Sequence, residues 1–136
     1  MNILTLALCA IPVMATSVIA GDAALGEKDF KRCKACHSIT GADGTVFQKG
    51  GKTGPNLGGI IGRDVGSYEG FSYGKGLLAA GDAGLIWDEA SVAAFITDPK
   101  AWIAEVTGDS SAKTKMTYKH KKGAENMAAY LSSVGQ

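Results

Sequence analysis

The sequence lacks an excess of charge of either sign. Its 136 residues carry 14 Lys and Arg against 13 Asp and Glu, for a formal net charge of +1. Because phosphate recognition needs a clear surplus of basic side chains, this balance argues against a nucleic-acid-binding protein. Any electrostatic recognition must therefore come from local clusters of charge. The length and the 46% hydrophobic content fit a single globular domain.

Alternating apolar and polar runs, which would indicate β-strands, are also missing, as are internal repeats. Apolar spacing instead predicts helices over about 22–34 and 123–134. Asp88 is the expected N-cap of another helix over 89–97, and Pro99 the expected first residue of one more. The sequence therefore predicts an all-α fold with four to five short helices.

The residues between these helices provide little material for an apolar core. Residues 40–66 are dense in glycine and predict long loops. Short helices and glycine-rich loops bury little apolar surface, while the entropy cost of ordering the backbone is large. A large apolar cofactor enclosed by the loops would complete the core.

No charged side chain occurs in the first twenty residues, which are mostly apolar and end in Val18-Ile19-Ala20. This pattern predicts a secretory signal over 1–20, with cleavage before Gly21, and a single periplasmic domain over 21–136. The usual basic residue at the start of a signal is absent, so an uncleaved anchor stays an alternative, which Pro12 weakens. Cys9 then serves only as an apolar residue of the signal.

Cysteine is scarce, and only Cys33 and Cys36 follow the predicted signal. Free thiols do not normally persist in an oxidising compartment, so this pair must have a use. With His37 the two cysteines form Cys-x-x-Cys-His, the attachment sequence for c-type haem. Residues three apart at a helix end face the same side, so both thiols can reach the two vinyl groups of one porphyrin. His37 then follows as the proximal iron ligand through Nε2.

Three other uses of the cysteines are weaker. A structural zinc site would need a second pair of ligands, and the other histidine, His120, has no cysteine beside it. A thioredoxin-like motif would begin a helix after a strand, whereas this one ends a helix. A structural disulfide would account for the thiols but would leave His37 and the thin core without an explanation.

The second axial ligand follows by elimination. Beyond the signal there are two methionines, Met116 and Met127, and Met127 lies on the apolar face of the last helix, where core packing explains it. Met116 lies among lysines, where no apolar stripe accounts for it. His120 is the competing ligand, although the neighbouring lysines predict a solvated loop. Coordination by His37 and Met116 leaves no open position, which favours electron transfer over a haem enzyme or a gas sensor.

These residues resemble class I cytochromes c, in particular the cytochrome c2 group. The resemblance extends over nearly the whole chain after the signal and implies the small cytochrome c fold, a monomeric electron carrier with one covalently bound haem, and no enzymatic activity. It rests on Cys33-Lys34-Ala35-Cys36-His37, Thr53-Gly54-Pro55-Asn56-Leu57, Ile61-Gly62-Arg63, Phe71-Ser72-Tyr73, Trp87, Asp98-Pro99-Lys100 and Thr114-Lys115-Met116.

The resemblance also implies roles for individual residues. The carbonyl of Pro55 should accept a hydrogen bond from His37 Nδ1, which orients the ring and raises its basicity. Four further residues match positions that hydrogen-bond the haem propionates, namely Arg63, Tyr73, Trp87 and Thr114.

Two more features concern packing and the distal side. Gly26, Phe30 and Tyr130 match the point where the first and last helices of the family cross. Phe95 stands where many relatives carry a tyrosine whose hydroxyl reaches the methionine sulfur, so that hydrogen bond should be absent here.

The segment from Lys113 to Lys122 contains five lysines and no acid. Because it also carries Met116, these lysines should surround the haem edge and steer weak, salt-sensitive docking onto acidic partners. A solvated loop without a partner is the alternative. By resemblance the donor is a cytochrome bc1 complex, and the acceptor is a photosynthetic reaction centre or a terminal oxidase.

Overall fold

The computed structural model describes residues 20–136, so the predicted signal, apart from Ala20, and Cys9 lie outside the described residues. The fold consists of short helices joined by long loops, as the apolar spacing predicts. In chain order the elements are α1 Ala23–Asp29, a 3₁₀ helix Phe30–Arg32, β1 Ile39–Thr40, β2 Val46–Gln48, α2 Lys75–Asp82, α3 Glu89–Thr97, α4 Pro99–Thr107 and α5 Ala124–Ser133.

The starts of α3 and α4 are confirmed. Asp88 accepts a hydrogen bond from the backbone N–H of Ser91 at 2.7 Å, and Ser91 Oγ accepts one from the Asp88 backbone at 2.9 Å. This reciprocal pair satisfies two backbone donors at the helix start. Asp98 ends α3 and caps α4, whose first residue is Pro99. A proline has no N–H to leave unpaired at that position.

One helix and two short strands were not predicted from the sequence. The N-cap residue of helix α2 is Gly74, which provides no side-chain hydrogen bond, and the helix itself contains two glycines. Its local helix propensity is therefore poor. It packs against α4, and a Cβ at Gly76 would lie 2.7 Å from Ile103 Cγ2, so tertiary packing selects this helix. Strands β1 and β2 pair antiparallel but are too short to show an alternating pattern.

Helices α1 and α5 cross closely at one point. A Cβ added to Gly26 would lie 2.1 Å from the backbone oxygen of Asn126, so only glycine allows the two backbones this near. Beside the crossing, the Phe30 and Tyr130 rings meet edge to face with centroids 6.0 Å apart. The packing implied by the resemblance is therefore present.

A second aromatic group joins α3 and α4 to the loop before them. Trp87 stacks on Trp102 with ring centroids 5.0 Å apart, and Phe95 meets both rings edge on. Trp87 and Phe95 line the cavity described below, and Trp102 packs behind them. Over residues 20–136, no helix is long and apolar enough to cross a membrane.

Candidate haem-binding site

A mainly apolar cavity of about 260 Å³ opens between the end of α1, the loop after β2, α3 and the segment before α5. Side chains from distant parts of the chain meet there, including most of the predicted site residues. Its apolar walls include Leu57, Ile60, Val92, Phe95, Met127 and Leu131. An apolar enclosure with a few polar groups is typical of a cofactor site.

Cys33 and Cys36 both line this cavity. Cys33 follows the 3₁₀ helix, and the backbone N–H groups of Cys36 and His37 donate to Cys33 O at 3.1 and 2.9 Å. This tight turn presents both sulfur atoms and the imidazole to one cavity. The two cysteines form no disulfide with each other.

The environment of Cys33 argues against thioredoxin-like chemistry. Burial, with a smaller contribution from the charge of Asp29, raises the pKa of the Cys33 thiol to about 11. Redox-active Cys-x-x-Cys motifs need the opposite shift, because the thiolate is the nucleophile. A half-buried thiol with a raised pKa is a poor nucleophile for such exchange.

The His37 ring is held in one orientation. Its Nδ1 lies 2.8 Å from Pro55 O, and because a carbonyl only accepts, Nδ1 must carry the proton and donate. Nε2 of the neutral ring therefore keeps its lone pair. Burial lowers the pKa of His37, partly opposed by the Pro55 hydrogen bond, so the neutral form that binds metals is favoured.

Gly54 lets the chain pass against the face of this ring. A Cβ at Gly54 would lie 2.3 Å from His37 Cε1, well inside van der Waals contact. The Thr-Gly-Pro sequence thus combines the close approach with the carbonyl that orients the imidazole.

Met116 lies in the cavity wall on the segment between α4 and α5 and is half-buried. The hydroxyl of Thr114 accepts from the Met116 backbone N–H at 3.1 Å and donates to the Met116 carbonyl at 3.2 Å. Thr114 therefore shapes the backbone that presents the thioether. Met127 also lines the cavity and is 2% exposed, so two thioethers border the same space.

The expectation of a solvated loop at His120 was wrong. His120 is 2% exposed and lines the cavity, while the lysines around it point outward. Its backbone N–H donates to Ile96 O at 2.7 Å, and its Nδ1 lies 3.1 Å from the Tyr118 hydroxyl. No local sequence signal marks this burial, since it depends on the contact with α3.

The residues matched to propionate binding occupy different places. Tyr73, Trp87 and Thr114 line the cavity, whereas Arg63 is not among its lining residues. The Arg63 guanidinium donates to the carbonyls of Asn56 and Gly58, bracing the loop behind the cavity. The propionate roles of all four residues stay predictions.

The donor set fits a c-type haem. Two thiols, an imidazole with a free Nε2 and a thioether meet in one apolar cavity, which matches the attachment and axial chemistry of such a group. Across residues 20–136, no three His, Cys, Asp or Glu side chains cluster as a metal site, so the zinc alternative has no second ligand pair.

Basic side chains surround the mouth of this cavity. Arg32, Lys113 and Lys115 line it, and all five lysines between 113 and 122 are exposed. Lys119 forms a 2.7 Å ion pair with Asp98 and so contributes less to the local charge.

Comparison with individual proteins and solved structures finds close relatives of this chain. No protein-family model matches it. It is 53% identical over 114 residues to cytochrome c-550 of Paracoccus pantotrophus, covering 82% of this chain and 85% of the relative. Cytochrome c2 of Rhodobacter capsulatus is 49% identical over 131 residues, covering 96% of each. The structure of ferric cytochrome c-550 from Paracoccus versutus superposes with a TM-score of 0.82 at 50% identity, covering 85% of this chain and 99% of that one.

Proposed function

Because this chain belongs to the cytochrome c2 group of class I c-type cytochromes, a family of electron carriers and not of enzymes, we propose that it carries single electrons on one covalent haem ligated by His37 and Met116. Cys33 and Cys36 would form the thioether links. The bound haem would supply a one-electron ferric–ferrous couple.

The observation that carries the proposal is the pairing of His37 with Pro55. The hydrogen bond from Nδ1 to the Pro55 carbonyl leaves Nε2 as the only free ring nitrogen, and the ring borders the same cavity as Met116. The chain thus holds an electron-rich imidazole and a thioether around one space. Ligation by both His37 and Met116 would leave no open position on the iron for a substrate.

Haem attachment is tested on protein matured in a host that attaches haem. The wild type should keep its haem stain after denaturing electrophoresis, because thioether links survive denaturation. A Cys33→Ser, Cys36→Ser double variant should lose the stain. A wild type without haem stain would refute the covalent cofactor.

The distal ligand is tested on the same holoprotein. Sulfur ligation gives the oxidised protein a weak absorption band near the red edge of the visible. Met116→Leu should abolish this band. Met127→Leu is the matched control, since Met127 borders the same cavity, and it should keep the band. The reverse pattern would assign the ligand to Met127.

Docking would use the lysines around the cavity mouth. The residues Arg32, Lys113 and Lys115 place positive charge beside the proposed haem edge, which favours weak, steered encounters with acidic partners. We assign the donor to a cytochrome bc1 complex and the acceptor to a reaction centre or a terminal oxidase, in the periplasm reached through the signal over 1–20.

The partner assignment is tested by photo-oxidation of the holoprotein by isolated purple bacterial reaction centres. The rate should fall steeply with added salt, because exposed charges are screened. Lys113→Glu should slow it several-fold at low salt, whereas Lys28→Glu, on α1 and outside the cavity wall, should change it little. A rate independent of salt and of Lys113 would refute electrostatic docking. Oxidation by an oxidase but not by reaction centres would assign the oxidase.

A further inference from the structure

His120 Nε2 is the one buried side-chain nitrogen or oxygen atom of residues 20–136 that has no hydrogen-bond partner. We propose that His120 is a reserve distal ligand, which binds the iron through Nε2 whenever Met116 leaves it. The inference rests on the proposed haem and its ligation by His37 and Met116. It gives the distal side two alternative ligands that set different reduction potentials for the iron.

The burial of this nitrogen needs a reason. A buried polar atom without a hydrogen-bond partner destabilises the fold, and an aliphatic side chain at position 120 would avoid that loss. His120 is 2% exposed and borders the same cavity as Met116. A metal ion entering this cavity is a natural acceptor of the unused lone pair.

The hydrogen bonds of the two cavity histidines are alike. Nδ1 of His37 donates to Pro55 O at 2.8 Å, which leaves Nε2 free. His120 uses Nδ1 toward the Tyr118 hydroxyl at 3.1 Å and also leaves Nε2 free. When Nδ1–H donates to the Tyr118 oxygen, Nε2 carries a lone pair. Such support of Nδ1 is what orients metal-bound histidines and fixes their tautomer.

The two candidate ligands are anchored differently. From residue 113 to 119 the chain makes no backbone–backbone hydrogen bond; both hydrogen bonds of the Met116 backbone are to the neighbouring Thr114 hydroxyl, and the link to another segment beside it is the side-chain bond from Lys115 Nζ to Ser72 O. His120 is tied to α3 through its N–H bond to Ile96 O. Met116 can therefore swing away from the cavity while His120 stays beside it.

The replacement of Met116 by His120 as iron ligand needs no oxidant or reductant. The bond that breaks joins the iron to Met116 Sδ, and the bond that forms joins it to His120 Nε2. No electron is transferred, and no proton leaves if Nδ1 already carries it. Because two imidazoles lower the reduction potential relative to imidazole and thioether, the exchanged form would be a poorer electron acceptor.

Lysines on the same segment are the main competitors. The Nζ of Lys115 donates to Ser72 O at 2.6 Å, the Nζ of Lys119 pairs with Asp98 at 2.7 Å, and Lys113 is exposed. The Nε2 of His120, which is buried and has no other partner, therefore has the advantage over these three lysines.

The test compares four oxidised holoproteins at pH 7: wild type, Met116→Ala, His120→Leu and the double variant. Met116→Ala should lose the red-edge band yet stay low-spin by electron paramagnetic resonance, with a lowered potential. The double variant should become high-spin, and His120→Leu alone should keep the band. A high-spin Met116→Ala, or a double variant that stays low-spin, would overturn the inference.

A second measurement avoids a change at Met116. Mild urea at pH 7 should displace Met116 from the wild-type iron before the chain unfolds. The product should be low-spin in the wild type and high-spin in His120→Leu; identical products would refute the reserve role. A wild type that lacks the red-edge band from the start would contradict both the proposed ligation by Met116 and the reserve role of His120. A wild type that has the band but gives the same urea product as His120→Leu would contradict the reserve role alone.

Discussion

Replacing Gly54 with alanine should move the proximal imidazole. The new Cβ would lie 2.3, 2.6 and 2.8 Å from Cε1, Nδ1 and Nε2 of His37. Ordinary contacts begin near 3.4 Å, so the ring or the loop must shift by about 1 Å. The ring cannot yield freely, because Nδ1 is bonded to Pro55 O at 2.8 Å.

Two effects follow from that shift. Overpacking of this kind typically lowers the free energy of unfolding by about 1–3 kcal/mol. A displaced ring also loses the Pro55 hydrogen bond, which makes Nε2 a poorer donor to the ferric iron, so the reduction potential should rise. Loss of such a supporting bond typically weakens metal binding by about 10–100-fold.

The assay is a redox titration and a urea unfolding curve of the holoprotein. Gly74→Ala is the control, because its backbone has φ −73° and its new Cβ would meet nothing closer than 3.4 Å. The control should lose at most about 1 kcal/mol, as expected for an N-cap glycine, and should keep its potential. A Gly54→Ala protein with wild-type potential and wild-type stability would show that the glycine is not required by the imidazole.

Three other changes have defined outcomes. Gly26→Ala places a Cβ 2.1 Å from Asn126 O and should lower the free energy of unfolding in urea by about 3 kcal/mol; a loss below about 0.5 would contradict the close crossing of α1 and α5. Asp88→Ala removes the cap of α3 and should cost about 1 kcal/mol in urea unfolding at pH 7. Hydrogen bonds from Ser91 lower the pKa of Asp88 below its ordinary value of 3.8, so this contribution is full above that pH and is lost as the pH falls through the folded-state value; a difference in stability that did not shrink as the pH was lowered below 3.8 would disprove it. Phe95→Tyr, in the cavity wall, should shift the reduction potential through a new hydroxyl near the proposed methionine ligand, and an unchanged potential would count against that contact.

Much of the local structure could be predicted because it depends on neighbouring residues. Asp88 and Asp98 cap the helices that follow them, since their short side chains reach backbone donors three residues ahead. The turn that presents Cys33, Cys36 and His37 is likewise set within five residues. In both cases the interaction needs no contact from elsewhere in the chain.

Other features required the tertiary structure, because distant segments decide them. Helix α2 has poor local propensity and exists because Gly76 allows close packing against Ile103. His120 lies among lysines, yet its hydrogen bond to Ile96 O turns it into the cavity. The sequence by itself determined which chemical groups are present and how the helices start. Only the fold decided which of those groups share the apolar cavity, since burial depends on contacts between residues far apart in the chain.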